Sequence, residues 1–382
     1  MAQTVLRLQT KLMRDYYKRF SKYSKGMIPE KKVAWVTSFT PVEILEAFDI
    51  DYYYPESYAA VIAASGQEQR FICDGGKFNP SKNCCSYSVC FNGCIEEGDG
   101  PRGVPPKPDI LIATNNQCNT LPGWWNYLSK EYGIPLIVLD YPGEDTDRIA
   151  AYRYVLKQHK DLIVFLKYLT GRDLDETVLD SIIDNSDQSV HAWNKVISYL
   201  PKKDIRLTML FDDISFLITS RCKPETSEMY ELEALALSKK EDADKGRLPL
   251  MWIGYPLWYH PDRYLSEYLQ DCRIVAANYL TWWSMDYNGK DPFERLFSAY
   301  NHTFLNLSQK SRDEKLGDLI NASGAVAAIV LHNKSCKCDF VSAGNINIPQ
   351  AELDMDMIDR NHLNPEKAQK AIDLLKGIVC TL

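Results

Sequence analysis

The chain has 382 residues, 45% apolar and 25% charged, an ordinary balance for a soluble globular protein. At roughly 150 residues per domain, that length suggests about two domains, each with room for its own core. Lys+Arg 44 against Asp+Glu 51 leaves a formal net charge of −7, which excludes a global basic field for nucleic acid or an anionic membrane.

In chain order, Val5, Leu8, Leu12 and Tyr16 recur at helical spacing, so an amphipathic helix is expected up to about Lys25. Its charged and apolar residues alternate without the apolar core of a signal peptide. No apolar run in the chain approaches the ~20 residues a spanning helix needs. The expectation is a cytoplasmic protein with no membrane and no nucleic-acid partner. A strand over 31–37, a helix over 41–48 with Pro41 in its first turn, a strand over 51–55 and a small-residue helix over 57–65 follow. Residues 75–108 are rich in Gly, Pro, Asn, Ser and Cys and read as mostly loop, a length that is commonly functional. Order returns with strands over 108–116 and 134–140, separated by a helix through Trp124 and Leu128. Residues 145–240 carry helical periodicity without strand signals. A second strand–helix series then runs through 249–256, a helix near 261–269, 273–280, a helix in 314–320, 325–332, 348–353 and a closing helix over 365–379.

This alternation argues for mostly parallel sheets flanked by helices. The fold class expected is α/β, as two domains joined by a helical bridge. Residues 1–165 form the first domain, 166–245 the bridge and 246–382 the second domain.

Eleven cysteines are the anomaly. An odd number without a secretory signal does not suggest a disulfide framework. Four crowd into residues 84–94 and two form Cys336-Lys337-Cys338. In parallel α/β sheets, sites gather beyond the carboxyl ends of the strands. Cys118 and Cys336 each follow an expected strand, and Cys85 lies in the Gly/Ser-rich stretch. Thiolates from several loops suit zinc or iron–sulfur. There is no double C-x2-C set for zinc, and structural or incidental thiols are the third reading.

Four stretches now carry a resemblance: CCSYS (84–88), PPKPDILIATNNQCNTLPGWW (105–125), IPLIVLDYP (134–142) and LHNKSCK (331–337). In order and spacing they resemble the 2-hydroxyacyl-CoA dehydratase / benzoyl-CoA reductase family. KVAWVTSFTPVEILEAF (32–48) with YYYPES (52–57) is similar to that family's opening, and IPQAELDMDMIDR (348–360) to its closing strand and acidic loop. The resemblance implies an oxygen-sensitive [4Fe-4S] cluster held by Cys85, Cys118 and Cys336. It implies a homologous second subunit or a homodimer, and a separate ATP-hydrolysing iron–sulfur activator that delivers one low-potential electron. The substrate implied is an acyl-CoA. In the dehydratases the electron makes a ketyl radical of a 2-hydroxyacyl-CoA, acidifying its β-hydrogen so that hydroxide can leave. In the reductases two electrons enter an aromatic acyl ring. A nearby branch holds a double-cubane [8Fe-9S] cluster and reduces small molecules. Cys84, Cys90, Cys94 and Cys338 are extra to the simplest pattern and keep that branch open. A non-catalytic, metal-stabilised interaction protein is the reading from a different class.

Other residues carry weaker signals. Glu56, after Pro55 at a strand end, is the candidate catalytic carboxylate, with a solvated loop carboxylate as its default. His332 precedes the third cysteine loop and is a candidate hydrogen-bond donor to a cluster sulfur. Asp354, Asp356 and Asp359 read as a solvated acidic loop. Trp124, Trp125, Trp252, Trp258, Trp282 and Trp283 read as core, interface or the dry wall of a radical site. No G-x-x-x-x-G-K-[ST] occurs, so ATP hydrolysis by a P-loop belongs to another protein.

Overall fold

The structure, a computed structural model, describes residues 2–21, 31–73, 84–259, 269–336 and 346–380. Helix α1 (Ala2–Ser21) opens the chain. The run Val-Ala-Trp-Val then forms β1 (Val33–Val36), buried at every position, as a strand covered on both faces must be. Next come α2 (Val42–Ala47), β2 (Asp51–Tyr53), α3 (Pro55–Ala64), α4 (Glu68–Cys73), α5 (Ser86–Glu97), β3 (Ile110–Thr114), α6 (Thr120–Tyr132) and β4 (Leu136–Leu139). The four strands pair in parallel in the order β2-β1-β3-β4.

Four helices follow: α7 (Arg148–Thr170), α8 (Glu176–Ile197), α9 (Leu207–Ser220) and α10 (Pro224–Ser238). Asp147 caps α7 by accepting from the Ala150 N–H, and Asp175 caps α8 through Thr177 and Val178. The expected boundary at 165 falls inside α7.

The second series is β5 (Leu248–Ile253), β6 (Cys272–Ala277), α11 (Asn278–Thr281), α12 (Pro292–Asn301), α13 (Gln309–Ser323), β7 (Ala327–Asn333), β8 (Gln350–Met355) and α14 (Pro365–Val379). Its strands are again all parallel, in the order β6-β5-β7-β8. Both sheets therefore share one winding, and each reverses direction between its first and third strand in sequence. Crevices open there beyond the carboxyl ends, between β1 and β3 and between β5 and β7.

Two expectations change, and a third is not tested. The stretch 75–108 is not mostly loop, because α5 occupies twelve of its residues. The strand expected over 273–280 stops at Ala277, where the chain turns into α11. The helix expected over 261–269 lies outside the described residues except for Leu269. One continuous apolar core joins the two sheets and the helices between them. No helix among the described residues is long and apolar enough to cross a membrane.

Candidate active site

The β1/β3 crevice holds a carboxylate with three donors. Ser38 follows β1, Gln117 follows β3, and Glu56 lies in the first turn of α3. The Ser38 N–H donates to Glu56 Oε2 at 2.9 Å and the Ser38 hydroxyl to the same oxygen at 3.0 Å. Gln117 Nε2 donates to Oε1 at 2.7 Å. Glu56 is buried, not solvated, and that burial raises its pKa against the three hydrogen bonds, which lower it.

The three candidate cysteines lie on three separate segments. Cys85 is the N-cap of α5; its thiol makes no capping bond, while the backbone at Tyr87 and Ser88 favours its thiolate. Cys118 follows β3 and Cys336 follows β7. Burial pushes the Cys85 thiol up, and the charge of Cys336 adds to the push, so these two loops are neighbours. They are also tied directly: Ser335 Oγ accepts from the Ser86 N–H at 3.2 Å and donates to Ser86 Oγ at 3.0 Å. Tyr255, just past β5, lies within reach of the charges of both Cys336 and Cys118, and Tyr87 within reach of Glu56 and Cys85. At Gly254, the residue before Tyr255, φ is 122° and a Cβ would stand 2.9 Å from Leu331 Cβ. Only glycine turns the chain here so close to β7.

A cavity of about 870 Å³ opens beside these groups. Ser38, Glu56, Gln117, Tyr87 and Tyr255 line it, with Phe39, Trp258, Tyr279, Trp282 and Trp283 as aromatic wall and α1, α3, α9 and α10 beyond. Its lining surface is mainly apolar, the form of a small-molecule site. Trp124, Trp125 and Trp252 are core instead.

Two of the four extra thiols lie elsewhere. Cys90 and Cys94 are fully buried in the core side of α5, and the Cys94 thiol donates to the Asp99 carbonyl at 2.8 Å. Cys338 is outside the described residues. His332 Nε2 stands 3.5 Å from Glu352 on the neighbouring strand β8. Asp354 is exposed, but Asp356 is fully buried, which corrects the reading of that run as solvated. Ser38, Gln117, Ser86 and Ser335 were not singled out from sequence; their one common signal is position, shortly after a strand or beside a cysteine.

The profile of the 2-hydroxyglutaryl-CoA dehydratase, D-component family matches residues 37–370. The chain belongs to this family. It is 24% identical over 320 residues to the (R)-phenyllactyl-CoA dehydratase alpha subunit of Clostridium sporogenes, covering 80% of this chain and 77% of that one. Identity to the lactoyl-CoA dehydratase subunit alpha of Anaerotignum propionicum is 25% over 382 residues, 90% and 89% of the two chains. With a subunit of the benzoyl-CoA reductase of Thauera aromatica it is 28% over 377 residues, 88% and 87%. Members of the D-component family are enzyme subunits, and so is this chain.

The iron–sulfur cluster implied by that family can be tested against the residues present. Among the described residues, no three His, Cys, Asp or Glu converge as ligands of one metal ion. A cubane makes a different demand, since it takes one thiolate at each ligated iron and spreads them around the cluster. Two neighbouring thiolates in a buried site, one of them already pushed up, are costly unless a cation compensates them. Three cysteines on separate loops with that electrostatic need fit an iron–sulfur group.

Proposed function

We infer that the chain is the iron–sulfur subunit of a radical acyl-CoA enzyme, with Cys85, Cys118 and Cys336 as ligands of a [4Fe-4S] cluster. The observation that supports this reading is the direct tie between the Cys85 and Cys336 loops, with Cys336 and Cys118 both in reach of Tyr255, which lines an apolar cavity beside a buried carboxylate. When bound, the cluster supplies single low-potential electrons and an iron open to a substrate oxygen. The aromatic wall takes the acyl group and keeps water from it. Glu56 holds or moves a proton at Oε1 or Oε2. Burial raises its pKa and the three donors oppose that rise, so the site works against a permanently ionised carboxylate without abolishing it as a proton acceptor. In the overall dehydration a 2-hydroxyacyl thioester loses hydroxide from C2 and a proton from C3, giving the 2-enoyl thioester and water. Glu56 is the group placed to accept that proton or to pass it to the departing hydroxide. The partners are a homologous second subunit, as the relatives' subunit names suggest, and an ATP-hydrolysing iron–sulfur activator.

The core positions of Cys90 and Cys94 weigh against recruiting them for a double cubane. The test is metal and sulfide analysis after anaerobic purification. About four irons per chain with matching acid-labile sulfide are expected. Zinc alone, or a folded chain without metal, removes the radical-enzyme reading; about eight irons replace it with the double cubane.

A further inference from the structure

We propose that Asp356 and the hydroxyl pair Ser335–Ser86 form a clamp that sets the spacing of Cys336 and Cys85 and holds a fixed negative charge beside them. Asp356 and Ser335 are then positioning residues for the cluster, and the proposal rests on the cluster reading above.

Each serine is the chain neighbour of a ligand cysteine: Ser335 precedes Cys336, and Ser86 follows Cys85. Their two mutual hydrogen bonds, at 3.0 and 3.2 Å, join loops separated by 249 positions in sequence. The Ser335 N–H in turn donates to Asp356 Oδ2 at 3.3 Å. The other carboxylate oxygen accepts from the N–H groups of Ile358 and Asp359, both at 2.9 Å. One carboxylate thus fixes the turn after β8 to the turn after β7. That second turn is braced further by Lys334 N–H to the Met355 carbonyl at 2.8 Å and Cys336 N–H to the Asn333 carbonyl at 3.0 Å.

The chemistry of the choice is informative. Asp356 is fully buried, and Ser335 and Ser86 are 9% and 6% exposed. Burying a carboxylate is expensive, and an apolar residue would fill the space at less cost. Three backbone donors offset that cost here. An asparagine could still accept from Ile358 and Asp359, but its amide would turn a donor toward the Ser335 N–H. The carboxylate also stands one residue from Cys336, bonded to the Ser335 N–H. A fixed anion beside a cluster disfavours the added electron and keeps the potential low. Groups of this kind around metal ligands set both affinity and electronics.

The experiment uses the anaerobically purified holoprotein, wild type and the variants Ser335→Ala, Ser335→Thr and Asp356→Asn. Iron release to a ferrous chelator and the midpoint potential by spectroscopic titration are the readouts. Ser335→Ala is expected to release iron on the order of tenfold faster, and Ser335→Thr, which keeps the hydroxyl, to stay near wild type. Asp356→Asn is expected to raise the midpoint potential. Wild-type release from Ser335→Ala together with an unmoved potential in Asp356→Asn overturns the clamp. If Asp356→Asn does not fold, Ser335→Ala against Ser335→Thr decides it alone. A wild-type chain that carries no iron overturns the cluster reading itself, which is a different result from iron-bearing variants that behave as wild type.

Discussion

At the residue scale, burial and hydrogen bonding separate the described cysteines into roles. Cys118 sits at the sheet's crevice near Tyr255, whereas Cys272 is buried in β6, where burial pushes its thiol up. Cys118→Ala is expected to lose most cluster iron after anaerobic purification, and Cys272→Ala to keep it. Equal iron in both variants counts against the ligand set. Glu56 gives a second, independent readout. Glu56→Gln keeps the side chain's shape but cannot carry the proton. Turnover in the activated complex should fall by roughly 10²–10⁴, with iron content unchanged. A variant that loses iron in proportion to activity would make Glu56 structural rather than a proton carrier.

At the scale of elements, α5 is the instructive case. It brings Cys85 to the site, yet its sequence, SYSVCFNGCIEE, is poor in strong helix formers. Packing holds it: Gly93 lies so close to α4 that a Cβ there would stand 2.4 Å from the Phe71 carbonyl oxygen. Gly93→Ala should therefore destabilise the protein by about 1–3 kcal/mol despite alanine's better helix propensity. Thermal unfolding measures it, and a raised melting temperature would show that the α4–α5 contact is not tight. The same helix explains where the sequence was legible. Strands such as VAWV and ILIAT are continuous apolar runs and stood out, as did α14 with Pro365 at its start. The helix α5 was hidden because tertiary contact, not local preference, decides it. The cysteines and Glu56 were visible by type and place. The partners of Glu56 were not, because Ser38 and Gln117 converge on it only once β1 and β3 are paired.

At the scale of the molecule, a buried ion pair ties the first sheet's helices to those between the sheets, and its hydroxyl partners reach the second half. Glu43 on α2 and Arg221 after α9 are both fully buried, 3.1 Å apart. Glu43 Oε1 also accepts from Ser186 at 2.8 Å and Tyr287 at 2.9 Å, and Oε2 from Tyr300 at 2.7 Å. Burial works to raise the Glu43 carboxyl, but Arg221 and these hydroxyls outweigh it and leave its pKa low. Glu43→Gln strands the guanidinium, so a loss of roughly 3–5 kcal/mol in denaturant unfolding is expected. A loss under 1 kcal/mol would show that solvent reaches the pair.

A buried carboxyl pair and a buried histidine shape how the whole fold responds to pH, in opposite senses. Asp213 on α9 and Glu233 on α10 line the cavity as neighbours; burial raises both, and the charge of Glu233 raises Asp213 further. Their contribution to stability is complete below the ordinary carboxylate value of about 4. It is lost as pH rises toward their folded values, because the unfolded chain gives up these protons more readily. His159, whose pKa burial lowers to about 4, acts the other way: its contribution is complete above about 6.5 and lost as pH falls toward 4. Above about 4 the two slopes oppose each other, so the carboxyl pair is read as a difference between proteins. As pH rises from about 4, the wild-type urea midpoint should lose ground relative to that of Asp213→Asn. Parallel slopes for the two proteins would mean that Asp213 and Glu233 ionise in the fold as they do in water.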